Sequence, residues 1–243
     1  MNIVVLMAGS GHRFRLGGYK DHKPMIDVLG KPMIERVIEN LTPKYRDHHF
    51  IFVTLSSMTD ERVRKILIKP NSTIIELPFI TDGAVCSALK AENMINNDEP
   101  LLVASCDQLV DMDIDELIDA GWFSDGCLLT FPNNSSACSY VKLNKEGNAI
   151  EIAEKKVISN HANIGLYFFK KGKYFVEAAK EMIADDFRVK GEFYNAPVYN
   201  WMIKKGQKVT IHEISKERTH LLGTPDELER YIDDHSKTAS KAR

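Results

Sequence analysis

The apolar, β-branched run from Asn2 to Met7 stops abruptly on Ala8-Gly9-Ser10-Gly11, and this junction constrains the chain more than any other stretch. A short buried strand is the expectation for such a run. Glycines directly after it let the backbone turn tightly and bring amide N–H groups against a ligand with no Cβ in the way. Arg13 follows at once, and Lys20, Lys23 and Pro24 close the stretch. Amides, a guanidinium and an ammonium gathered at the C-terminal end of one strand make a cradle for a polyphosphate. The same residues also suit an ordinary strand-to-helix turn with solvated cations.

Two familiar phosphate loops do not fit. A dinucleotide fingerprint needs Gly or Ala where Phe14 stands, and a helix opening immediately, whereas Gly17-Gly18 prolongs the loop. A Walker loop needs Gly-Lys-Ser/Thr, and Gly30-Lys31 runs into Pro32.

Beyond this loop the pattern is regular. Met33, Ile34, Val37, Ile38 and Leu41 recur at helical spacing. Strands are expected at 50–54, 73–77 and 100–105, with a helix over 60–68 between the first two. Thr81-Asp82-Gly83-Ala84 leads into another helix, with Thr81 or Asp82 as its cap. This alternation implies βαβ units and a mainly parallel sheet. Asp107 stands just past the strand at 100–105, where ligands bind in open α/β sheets. A carboxylate there, facing a phosphate cradle, calls for an intervening cation, unless it caps the following turn. Asp111, Asp113, Asp115 and Asp119 read as the solvated face and cap of a short helix. From 127 to 169 the rhythm changes to short strands with polar turns, as in antiparallel pairing. A helix over 172–184, a second opening within the aromatic stretch 193–201, and a strand at 209–214 follow. Thr224-Pro225-Asp226-Glu227 forms a helix start. One domain over residues 1–235 and a loose polar tail over 236–243 complete the division.

Composition narrows the classes. A net charge of −2 argues against a general nucleic-acid binder. The four cysteines have no framework spacing and read as reduced thiols of a cytoplasmic protein. The opening run is too short for a signal peptide, and no stretch approaches the ~20 apolar residues of a membrane span.

Ala8-Gly9-Ser10-Gly11-His12-Arg13-Phe14, then His22-Lys23-Pro24, then Leu29-Gly30-Lys31-Pro32 resembles the opening of the nucleotidylyltransferases that act on sugar phosphates and related phosphomonoesters. The Gly18-Tyr19 insertion is similar to a branch linked to capsule and surface-polysaccharide synthesis. The resemblance implies a single GT-A/Rossmann-like α/β domain. Its mixed, mainly parallel sheet is flanked by helices, and a smaller antiparallel region binds the acceptor. The implied reaction is attack by a phosphomonoester oxygen on the α-phosphorus of a nucleoside triphosphate, releasing pyrophosphate. Arg13 would hold the β- and γ-phosphates and Lys23 the α-phosphate. Ala8, Gly9, Ser10, Gly11, Gly83 and Ala84 would bind the nucleotide, and Asp107 would hold Mg2+. The acceptor would meet Gln108, Tyr140, Glu154, Lys155, Asn163, Tyr194 and Asn195. CTP is favoured over UTP, the acceptor is a phosphorylated small molecule, and a homodimer is compatible with the pattern.

One departure stands out. Relatives carry D-x-G-T, whose Asp is a second metal ligand, where this chain has Leu221-Leu222-Gly223-Thr224. His220 and Asn195 are candidate substitutes, or water and nucleotide oxygens complete the cation's shell. A nucleotide-sugar-dependent glycosyltransferase shares the topology, but it would need an Asp at Ser105 or Cys106. A non-catalytic nucleotide sensor is the other rival.

Overall fold

The computed structural model describes residues 1–241, with side chains through Ser236. The parallel half follows the apolar runs. Strand β1 (Asn2–Leu6) leads through α1 (His12–Leu16) and a small hairpin, β2 (Asp27–Val28) and β3 (Lys31–Pro32), into α2 (Met33–Leu41). Pro32 stands just outside α2 as its N-terminal flank, where a missing N–H costs nothing. Then come β4 (His49–Leu55), α3 (Glu61–Leu67), β5 (Ser72–Leu77), α4 (Ala84–Ala88), α5 (Glu92–Ile95) and β6 (Leu101–Ser105). The helix expected after Gly83 is thus two short helices joined by a tighter turn over Leu89–Ala91.

The second half contains β7 (Gln108–Val110), α6 (Ile114–Gly121), β8 (Gly126–Pro132), β9 (Ser139–Leu143), β10 (Ala149–Glu154) and β11 (His161–Phe169). Helices α7 (Gly172–Ala184) and α8 (Val198–Lys204), strands β12 (Val209–Glu213) and β13 (Thr219–Leu221), and α9 (Pro225–Lys241) finish the chain. Helix α9 carries the tail past the boundary expected at 235, at least to Lys241, and residues 242–243 lie outside the described part.

Nine strands form one mixed sheet whose main path is β10-β9-β11-β6-β1-β4-β5. Strands β6, β1, β4 and β5 run parallel, whereas β11 is antiparallel to β6, β8 and β9. Two apolar layers cover the two faces. One gathers Ile3, Val5, Phe52, Val37, Leu117 and Phe168; the other gathers Val4, Val53, Val85, Val103, Phe175 and Tyr199. Alternate residues of β1 serve opposite layers, as a strand buried on both faces requires. The C-terminal ends of β1 and β6 lie side by side, with Leu6 paired to Ser105. That adjacency brings Ala8–Gly11 next to Asp107. Among the described residues no helix is long and apolar enough to cross a membrane.

The acidic run beyond β7 departs from expectation. Asp113 does cap α6, in a reciprocal box with Glu116. Asp115, however, is buried, and it accepts hydrogen bonds from the backbone N–H of Lys44 and Tyr45 and pairs with Arg46. A buried carboxylate keeps its charge only with such partners, and these come from the loop after α2, far away in sequence.

Candidate active site

An open cleft of about 660 Å³ lies over the strand ends. The glycine loop, Arg13, Lys23, Asp107 and Gly223 line it from one side. Ile80, Thr81, Gly83, Ala84, Ser87, Lys155, Glu192 and Tyr194 line it from the other. The backbone from Ala8 to Gly11 belongs to no helix or strand. Gly11 holds φ +63°, so a substituted residue there would be strained, and its Cβ would stand 3.7 Å from Lys23 Cβ.

Lys23 opens a single tight turn, Lys23–Met25, fixed by hydrogen bonds from Met25 N–H to His22 and from Ile26 N–H to Lys23. Its ammonium contacts Asp107 Oδ2 and lies 5.5 Å from the centre of the Phe14 ring. Arg13, Lys23 and Asp107, expected at the ends of two strands, line one cleft. Cys106, beside Asp107, is fully buried, and burial pushes its thiol up to about 12; it is no nucleophile at neutral pH.

The wall around Gly83 is clamped backbone to backbone. Phe193 N–H donates to Asp82 O (2.9 Å), and Val85 N–H donates to Phe193 O (3.1 Å). A Cβ on Gly83, at φ +138°, would stand 2.5 Å from both Phe193 N and Phe193 O. Neither Thr81 nor Asp82 caps α4, whose N-terminal flank is Gly83 with no side-chain cap. The Thr81 hydroxyl is spent on Gly83 O and on Ser87 Oγ, and Asp82 pairs with Arg188.

Of the acceptor residues expected from sequence, Lys155 and Tyr194 reach the cleft. Lys155 directly follows β10 at φ +54°, and its ammonium sits 4.6 Å over the Tyr194 ring. Burial first, and then neighbouring Glu192 and Glu154, push the Tyr194 hydroxyl up to about 12, with Arg13 pulling the other way. Glu154 stands beside Lys155 at 3.6 Å with its side chain largely buried, and burial raises its carboxyl above the ordinary value. Gln108, Tyr140, Asn163 and Asn195 stand behind the wall. Gln108 donates to Gly165 O, and Asn163 Oδ1 accepts from Gly165 N–H (2.7 Å). Both therefore support the kink where the β11–β8 register shifts. The Tyr140 hydroxyl donates to Ser135 O, and the buried Asn195 Oδ1 has no partner among the described residues.

The segment replacing D-x-G-T runs alongside Asp107. Strand β13 pairs antiparallel with β7, Leu221 opposite Gln108, and Leu222 N–H donates to Asp107 O (2.8 Å). Leu221 packs on the apolar core. His220 turns to Asp111 Oδ2 (2.8 Å) and packs edge-on against Tyr231 and His235. At Gly223 a Cβ would lie 3.3 Å from Asp107 Oδ2 and 3.2 Å from Glu227 Oε2. Sequence reasoning took Glu227 only as part of a helix start. Its place at the site follows from where α9 docks, which local pattern does not reveal.

The pattern that defines the nucleotidyl transferase family matches residues 2–206. The bifunctional protein GlmU of Methanocaldococcus jannaschii is 27% identical over 76% of this chain and 43% of its own length. The mannose-1-phosphate guanylyltransferase catalytic subunit beta of Xenopus tropicalis is 25% identical over 70% of this chain and 49% of its own. The chain thus spans less than half the length of these curated relatives. The crystal structure of the nucleoside-diphosphate-sugar pyrophosphorylase from Vibrio cholerae RC9 superposes with a TM-score of 0.76 at 25% identity, over 96% of this chain and all of that one. With that match across most of its length, and with the glycine loop, Lys23 and Asp107 on one cleft, the chain belongs to the nucleotidyl transferase family.

Proposed function

We propose that this chain joins a nucleoside triphosphate to a sugar phosphate or another phosphomonoester and releases pyrophosphate. The observation that carries the reading is the Lys23 ammonium on the Asp107 carboxylate, in the cleft that Arg13 and the glycine loop also line. Both reactants are anions, so holding them together is the main obstacle, and positioning with charge neutralisation does most of the work in such transfers. Arg13 grips the β- and γ-phosphates and eases the departure of pyrophosphate. Lys23 moves from Asp107 to the α-phosphate and stabilises the charge that builds there. Lys155 receives the acceptor phosphate, and Tyr194 closes that end. An acceptor phosphate is already nucleophilic, so no general base is required.

A divalent cation fits the residues present. Asp107 offers a carboxylate at the strand end, and Gly223 leaves open the space beside it that any Cβ would fill. Magnesium suits one or two carboxylates plus phosphate oxygens, and when bound it neutralises nucleotide charge.

The preference for CTP over UTP and a role in capsule or surface-polysaccharide precursor synthesis rest on the resemblance around Gly18-Tyr19. The cytoplasm, where triphosphates are made, is the working location. A thermal-shift screen of four nucleoside triphosphates with Mg2+ tests the first half of the reading, and one of them should raise the melting temperature most. Pyrophosphate release is then measured with that nucleotide and a panel of sugar phosphates and non-sugar phosphomonoesters. Release that needs both partners supports the reading. Tight binding without turnover on any acceptor favours a nucleotide sensor, and transfer from a nucleotide sugar without pyrophosphate favours a glycosyltransferase.

A further inference from the structure

We propose that Glu227, in the first turn of α9, is the second protein carboxylate for the divalent cation, in place of the aspartate that Leu221 displaces. This rests on Asp107 holding that cation in the reaction above. Leu221 cannot ligate and faces the core, and His220 is committed to Asp111. Asn195, the other candidate substitute, does not come within 4 Å of the Gly223 Cβ point, where Asp107 and Glu227 meet.

The geometry around Gly223 singles out Glu227. One point, the missing Cβ of Gly223, is 3.3 Å from Asp107 Oδ2 and 3.2 Å from Glu227 Oε2, so the two oxygens are at most 6.5 Å apart, the sum of those distances. Two oxygens on opposite sides of a bound Mg2+ are about 4 Å apart, twice the metal–oxygen bond. A modest turn of the Glu227 side chain spans the difference. The backbone beneath is fixed: Leu222 N–H is tied to Asp107 O, Thr224 Oγ1 accepts from Glu227 N–H (3.3 Å), and Leu228 N–H donates to Thr224 O.

Charge points the same way. The Glu227 carboxylate makes no hydrogen bond or ion pair among the described residues, while Asp107 is already matched by Lys23. An unmatched carboxylate beside Gly223, next to the cleft, opposes an anionic substrate. A divalent cation between the two carboxylates reverses that local field and frees Lys23 for the nucleotide. Gly223 is then required for space, since its φ lies outside the glycine-favouring region.

The test is Mn2+ binding, followed by water-proton relaxation on the full chain, alone and with each nucleoside triphosphate, with no acceptor present. Wild type should bind Mn2+, and Asp107→Asn and Glu227→Gln should each weaken it about tenfold or more, as loss of a metal-site partner does. Asp226→Asn, an exposed charge on the same turn, should leave it unchanged. Gly223→Ala should weaken Mn2+ binding while keeping the wild-type urea midpoint. If Asp107→Asn loses Mn2+ and Glu227→Gln does not, Glu227 is no ligand and the Asp107 reading stands. Equal weakening by Asp226→Asn would reduce Glu227 to a general field effect and overturn its role. Failure of wild type to bind Mn2+ with any nucleotide overturns both readings together.

Discussion

Glu154 illustrates what a single side chain costs at this cleft. Burial holds its carboxyl above the usual 4.5, with Lys155 only partly offsetting the effect. A group raised in the folded state contributes stability that is complete below its unfolded value and is lost as pH rises through its folded one. The buried charge is therefore a burden at neutral pH. Glu154→Gln is expected to melt higher than wild type at pH 8, with the two curves converging near pH 4. Thermal melts across that range check it, and an offset equal at both ends would contradict it. Legibility at this scale follows the range of the interactions. Gly9, Gly11, Arg13 and Lys23 lie within one short stretch, and their types and spacing suffice. Gln108 and Asn163 do not yield to the same reading, because both are spent on Gly165, a partner set by sheet registry rather than by neighbours in sequence.

Among the elements, the turn into α4 shows how tertiary clamping overrides a local signal. Thr81 and Asp82 have the chemistry of caps, yet Phe193 takes the backbone groups around Gly83, and Arg188, which packs 4.1 Å from the Phe193 ring centre, takes Asp82. Such a contact cannot be read from residues 78–89 alone. It also makes Gly83 irreplaceable, since an alanine methyl would meet the Phe193 backbone and not a movable side chain. Gly83→Ala is expected to cost about 2–4 kcal/mol from backbone strain and overpacking. Its urea midpoint should fall with an unchanged slope, and nucleotide-induced stabilisation should fall with it. A midpoint equal to that of wild type would show the clamp to be soft. The parallel strands themselves were plain in the sequence, because runs buried on both faces leave little choice of conformation, whereas the short β7 and β13 beside Asp107 were not.

Over the whole molecule, the parallel and antiparallel halves meet at β6 and β11, and the cleft opens over the neighbouring C-terminal ends of β1 and β6. The order of strands β6-β1-β4-β5 places the first loop of the chain beside Asp107, so residues distant in sequence line one cleft. The strand–helix alternation announced the α/β class, and the change of rhythm after Gly126 announced the antiparallel half. The docking of α9 against the segment around Gly223 was not legible, since Thr224-Pro225-Asp226-Glu227 specifies a helix start but not its neighbour. In the proposed reaction Lys23 crosses from Asp107 to the nucleotide and lowers the barrier to transfer. Single-turnover pyrophosphate release by Lys23→Ala, with saturating nucleotide and acceptor, tests it most directly. The account predicts a rate lower by ~10²-fold or more, as for loss of one preorganised charge at a transition state, with the protein folded and its melting curve intact; an unchanged rate would contradict it.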